Sequence, residues 1–118
     1  MDALNVARHA ASAANAKKAL RLVVQDLRGL SDLCQFQLVC SGSNDRQNIA
    51  ISQSVEDHLK RNFNIRPMAV EGKKSGSWIV LDYGPTLIHI FDEEIRDYYA
   101  IESLWPNAKE VAMTGLST

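Results

Sequence analysis

Residues 78 to 105, `WIVLDYGPTLIHIFDEEIRDYYAIESLW`, decide how this chain folds. They read as a strand, a tight turn, a second strand and a capped helix. With the turn centred on Gly84 and Pro85, Asp82 stands opposite Leu87. Successive side chains on a strand point to opposite faces. One face then carries Ile79, Leu81, Tyr83, Thr86, Ile88 and Ile90, and the other carries Trp78, Val80, Asp82, Leu87, His89 and Phe91. The first set makes a core. The second mixes large apolar side chains with an Asp and a His, whereas a solvated sheet face should be polar. It suits a docking surface or a second buried layer.

Length and composition bound the rest. A chain of 118 residues is one domain by size. It can bury roughly two thirds of its unfolded surface, enough for a core without staples. Hydrophobic residues make up 46% and charged residues 23%, ordinary for a globular protein. No apolar run approaches the roughly 20 residues of a membrane helix. The Ala-rich N-terminus has no apolar segment ending in a cleavage site, so no secretory signal is read there. Cys34 and Cys40 are the only cysteines, which fits a reduced cytoplasmic setting.

The net charge of −1 is unevenly spread. Residues 1–74 hold eleven Lys or Arg against seven acids, +4; residues 75–118 hold two, Arg96 and Lys109, against seven acids, −5. The half with the mixed sheet face should repel phosphate and attract a basic protein, so little direct contact with nucleic acid is expected. The plainer reading is that these acids solvate the last helix.

Residues 3 to 18 favour a helix whose stripe of Leu4, Ala7, Ala11 and Ala14 buries little, so this helix is expected to be lightly attached. Strands are read over Leu20 to Leu27, Phe36 to Cys40 and Pro67 to Val70. Between the last two, Asn44 and Gln47 approximate a capping box, and Ile51, Val55, Leu59 and Phe63 recur on one helical face. Asp92 opens the last helix with Glu93 and Glu94 in its first turn, Tyr98, Ile101, Leu104 and Trp105 form its apolar face, and Pro106 stops it. Residues 109 to 118 read as a frayed tail. The sum is an α/β architecture, a mixed sheet of about five strands with helices packed on it.

Few residues invite catalysis. Gly42-Ser43 sits where a strand gives way to a helix, a place that binds phosphate when its amides are free. Metal-dependent phosphoryl chemistry would also need converging acids, and the nearest pair downstream, Glu56-Asp57, lies mid-helix and diverges. A turn plus a cap explains the segment. His9, His58 and His89 lack zinc-motif spacing, and the two cysteines do not form a knuckle. His89 near Asp82 could form an acid–base pair, although a hydrogen-bonded surface His is the simpler reading. No catalytic residue, metal site or cofactor is expected. Trp78 beside acids and a His has the composition of an interface centre.

The run Glu71-Gly72, Trp78, Leu81-Asp82-Tyr83-Gly84, His89-Ile90-Phe91, Arg96, Tyr98-Tyr99 and Glu102-x-Leu104-Trp105 resembles the ribosomal silencing factor (RsfS, or Iojap-related) family. Upstream, Asp26-Leu27, Ser41-Gly42-Ser43 and Arg46-Gln47 resemble it as well. Pro85 and Leu20-Arg21 depart from the family pattern. The resemblance implies an N-terminal helix over 1–19, a family domain over 20–106 and a tail over 107–118. It implies a reduced nucleotidyltransferase-like fold without metal-binding acids. It also implies a cytoplasmic binding protein, not an enzyme, that represses translation. Such a protein binds the large ribosomal subunit at the basic ribosomal protein L-fourteen and sterically blocks subunit joining; some members are homodimers. Carried onto this chain, the partner-binding residues are Glu71, Trp78, Asp82 and His89, with Val80, Leu87 and Phe91 around them. The alternatives are a small nucleotidyltransferase-like enzyme using Ser43, Asp45 and Asp82, or a ribosome assembly factor with the same patch.

Overall fold

The computed structural model describes residues 1–113. In chain order the elements are α1 (Ala3–Ala16), β1 (Leu20–Asp26), β2 (Phe36–Gly42), α2 (Asp45–Phe63), β3 (Ala69–Glu71), β4 (Trp78–Asp82), β5 (Thr86–Asp92), α3 (Glu93–Tyr99), a 3-10 turn (Ile101–Ser103) and β6 (Lys109–Glu110). The strands form one mixed sheet ordered β3-β4-β5-β2-β1-β6. Only β2 and β5 run parallel. A parallel pair needs a long crossover, and α2, β3 and β4 supply it.

The register read from the sequence holds: Asp82 pairs with Leu87, Val80 with His89 and Trp78 with Phe91. The turn tolerates Pro85 for a specific reason. Tyr83 N donates to Thr86 O at 3.0 Å, and Gly84 takes φ +84° at the first of the two central positions. Positive φ followed by Pro matches the φ signs of a type II′ hairpin turn. Pro85 needs no amide hydrogen there, and its carbonyl accepts from Gln35 N and Phe36 N.

Ile79, Leu81, Ile88 and Ile90 are fully buried with Leu38, Cys40 and Val24, packed against Ile51, Val55 and Leu59 of α2. Phe63, placed on the same helical stripe by periodicity, is exposed in the last turn of α2. Helix α1 also departs from expectation. Ala7, Ala10, Ala11 and Ala14 are fully buried, so the helix is built into the core rather than lightly attached. Alanine's small side chain lets the backbone come close. Ser54 Oγ donates to Ala13 O at 3.2 Å, and Thr86 Oγ1 to Ala3 O at 2.8 Å.

The C-terminal segment brings the largest differences. The last helix does not continue to Trp105. It stops at Tyr99, where Ala100 turns left-handed at φ 45°, and a 3-10 turn follows. Helical spacing therefore fails beyond that point, and Leu104 faces solvent; Tyr98, within the helix, is exposed as well. The chain then returns to the sheet. Lys109 pairs with Asp26 and Glu110 with Gln25, and Val111 N donates to Val24 O at 2.7 Å. This part of the expected frayed tail is a sixth strand; residues 114–118 lie outside the described residues.

The same segment covers half of the sheet's second face. Arg96, only 2% exposed, donates through Nε to Glu102 Oε1 at 2.7 Å and through an Nη to Ser41 Oγ at 3.1 Å. Gln25 Nε2 donates to Glu102 O at 2.7 Å, and Gln37 Nε2 donates to Gln25 Oε1 at 3.0 Å. Gln37, Val39 and Ser41 of β2 are buried beneath this layer, whereas β3 is exposed and β4 is touched by it only where Tyr99 packs on Trp78. Breaking a buried ion pair leaves an uncompensated charge. Arg96→Ala should cost roughly 3 kcal/mol of unfolding free energy in a urea titration. Lys cannot reproduce a forked donor, so Arg96→Lys should recover little of it. A loss of under about 1 kcal/mol for the alanine variant would show that the clamp contributes little.

Candidate functional site

Strand pairing lays the sequence-predicted residues out in rows across the second face. One row runs Glu71, Val80, His89, Val39; the next runs Ala69, Asp82, Leu87, Gln37; a third runs Trp78, Phe91, Ser41. Exposure falls along each row from β3 towards β2, because the C-terminal layer covers only the β2 end. Glu71 is exposed, and Trp78, Val80, Asp82, Leu87 and His89 are half-buried. Phe91 differs. It is fully buried and so serves as the floor of the patch, unable to touch a partner directly.

Trp78 is held from several sides. Its ring centroid lies 5.2 Å from Phe91 and 5.0 Å from Tyr99, and its Nε1 donates to His89 Nδ1 at 3.2 Å. Gly72, at φ +86°, lets the preceding loop pass against the Trp78 carbonyl, where a Cβ would sit 1.8 Å from that oxygen. A rigid, partly exposed aromatic with little rotamer freedom to lose suits an interface anchor. Asp82 does local work too, since its Oδ1 accepts from Gly84 N at 2.7 Å and braces the hairpin turn. Asp82 and His89 are not cross-strand partners, and their bonded atoms go elsewhere: Asp82 Oδ1 to Gly84 N and His89 Nδ1 to Trp78 Nε1.

Sequence reasoning missed part of this face. Leu33 and Leu104 are 78% and 63% exposed, and with Leu87, Ile101 and Trp105 they border a cavity of about 180 Å³ beside the patch. Leu33 lies in a turn where no periodicity operates, and helical spacing places Leu104 on a buried stripe. The end of α3 at Tyr99 is what exposes Leu104.

The second candidate region, around Gly42-Ser43, also differs from expectation. Asp45, Asp92, Glu93 and Glu94 do converge there, lining an open cleft of about 760 Å³. The last three come from the end of β5 and the start of α3, which the parallel pairing with β2 brings alongside, so no search near Ser43 in sequence could find them. Burial pushes the Asp92 carboxyl up, opposed by the Asn48 amide and reinforced by Asp45. The two amides that lead into the helix are occupied. Gly42 N donates to Asn48 Oδ1 at 2.8 Å and Ser43 N to Gln47 Oε1 at 2.7 Å. Among the described residues no group of three or more His, Cys, Asp or Glu is arranged to hold a metal ion. Asp82 stands at the other end of the strands, five residues along β5 from Asp92 and so about 16 Å away. Ser43, Asp45 and Asp82 therefore do not assemble.

The family model described as "Ribosomal silencing factor during starvation" (RsfS) matches residues 1–118. The chain belongs to the RsfS family. The "Ribosomal silencing factor RsfS" of Bacillus subtilis is 31% identical over 108 residues, 92% of this chain and 91% of that protein. Maize "Protein Iojap, chloroplastic" is 29% identical over 112 residues, 95% of this chain but 48% of its own length. A crystal structure of a Chromobacterium violaceum protein superposes with a TM-score of 0.85 at 30% identity, covering 100% of this chain and 98% of the other. Among the described residues no helix is long and apolar enough to cross a membrane.

His89 gives this RsfS-family face a titratable mark. Burial lowers its pKa from 6.5 to about 4, partly offset by Glu102. The hydrogen bond agrees, since Nδ1 can accept from Trp78 only while it carries no proton. The neutral ring is favoured in the folded state. Its contribution is present above about pH 6.5 and is lost as pH falls towards 4. The His89 ring resonances in an NMR titration should stay neutral until near pH 4. The melting-temperature difference between wild type and His89→Asn should shrink over the same window. A midpoint near 6.5 would show that the Trp78–His89 pair does not form in solution.

Proposed function

We propose that this RsfS-family protein represses translation by docking its uncovered sheet face on the large ribosomal subunit, through the basic ribosomal protein L-fourteen, in the cytoplasm. Occupancy of that joining surface sterically excludes the small subunit, and no chemistry is needed. The observation that carries the reading is the uncovered half-face: Trp78, Val80 and Leu87 at its centre, with Glu71 and Asp82 beside them. An apolar centre with acidic neighbours fits a basic protein and disfavours phosphate. The names of the relatives support a role in ribosome silencing.

The protein should sediment with large subunits and be absent from joined ribosomes. Trp78→Ala should weaken large-subunit binding by roughly 2 kcal/mol, as expected for an aromatic anchor. Glu71→Lys should weaken it further by setting like charges against the partner. Glu71 is the better site for charge reversal, because Asp82 also braces its turn. Trp78 packs on Phe91 and Tyr99, so each variant needs a thermal melt to separate lost binding from lost stability. Undiminished binding by a folded double variant would falsify the docking face.

The acidic cleft at the start of α2 keeps one enzymatic reading in view, that of a nucleotidyltransferase-like site. Its acids repel phosphate and the Gly42 and Ser43 amides are already bonded, so calorimetry with magnesium and a nucleoside triphosphate should show no saturable heat. Binding in the micromolar range would put that reading first.

A further inference from the structure

The cavity beside the patch lies between the β1–β2 loop and the turn after α3, lined by Leu33, Cys34, Leu87, Ile101, Leu104 and Trp105 among others. At about 180 Å³ it has room for roughly six waters at ~30 Å³ each. Those waters would find few partners. The Gln37 amide that reaches the cavity donates to Gln25, and His89 Nδ1 accepts from Trp78. The two leucines at its mouth, Leu33 and Leu104, are largely exposed. Water released from such a groove is replaced favourably by an apolar side chain. Leu87 and His89 belong both to the groove and to the sheet patch, so the two surfaces are continuous. Asp82 lies beside Leu87 across the sheet, and Glu71 extends the His89 row.

We propose that this groove is the specificity pocket of the docking face, receiving one large apolar side chain of a protein segment that carries Lys or Arg close by. The inference rests on the docking reading above and adds the chemistry of what is recognised. The apolar lining selects the anchor. Asp82 and Glu71, on the adjoining patch, select the basic residues beside it. An RNA backbone meets neither requirement.

Purified bacterial large ribosomal subunits provide the test. Wild type, Trp78→Ala and the double variant Leu33→Ser, Leu104→Ser are titrated against them, each with a thermal melt. Both leucines are exposed, so the double variant should melt like wild type and bind at least about tenfold more weakly. A photo-crosslinking residue at position 104 should capture a ribosomal-protein peptide with a large apolar residue next to Lys or Arg. Binding by the double variant within about twofold of wild type overturns the groove inference, as does crosslinking to RNA or to a second copy of this chain. If Trp78→Ala loses binding while the leucine variant keeps it, the docking reading stands and only the groove falls. If wild type does not bind large subunits, the docking reading fails and takes the groove with it.

Discussion

The buried pair of Arg96 and Glu102 decides what the second face of the sheet becomes. A guanidinium at 2% exposure needs partners, and Arg96 finds Glu102 through Nε and Ser41 and the Leu20 carbonyl through Nη1. These bonds press α3 and the 3-10 turn onto β1 and β2. Arg21 adds an outer tie from β1 to Asp97 at 2.9 Å, exposed and so of lesser weight. The layer is short and reaches β4 only where Tyr99 meets Trp78, so one sheet face becomes two environments. Over β2 it is a second core. Over β3 and the rest of β4 it is a surface on which Val80 stands half-buried and Glu71 exposed.

A second buried polar group fixes the other end of the strands. Asn48 is fully buried and accepts from Gly42 N at 2.8 Å while donating to Gly76 O and Asp92 Oδ1, both at 2.9 Å. One side chain thus joins the end of β2, the loop before β4 and the start of α3. It approaches β2 closely because position 42 has no Cβ, which would stand 2.3 Å from Asn48 Oδ1. The strand-to-helix turn that could host a phosphate is instead filled from within. The cleft around it keeps its acids but has given the Gly42 and Ser43 amides to Asn48 and Gln47. That is why a region with the outline of an active site does not carry the functional reading.

The sequence disclosed what depends on local alternation. Two strands with period two and a Gly-Pro turn fixed which side chains share a face, and the Trp78 rows follow from that alone. It disclosed less where long-range pairing or helix termination decides the outcome. The convergence of Asp92 on Gly42 needs the parallel β2–β5 pair, which no local pattern encodes. The alanines of α1 looked too small to hold a helix, yet their size is what allows close packing. Leu104 looked buried because a helical period was carried past Ala100, whose left-handed conformation ends it. The groove was hidden by that last error. Both of its lips lie where chain direction changes, and there periodicity says nothing about exposure.

The sheet's edges explain why binding should use its face. Unpaired edges attract other strands. Here both are blunted: β3 has three residues and follows Pro67, and β6 has two. Strand addition at either edge would gain few backbone hydrogen bonds and would read little sequence. The uncovered face offers the opposite balance. Its side chains stand on paired strands, and Trp78 is fixed by two aromatic neighbours and a hydrogen bond. A partner landing there meets a surface that needs little ordering, so less of the gain from burying Trp78 and Leu87 is lost to immobilising the site. On the proposed docking reading, selectivity comes from the acids beside the apolar centre, whose charge disfavours acidic competitors.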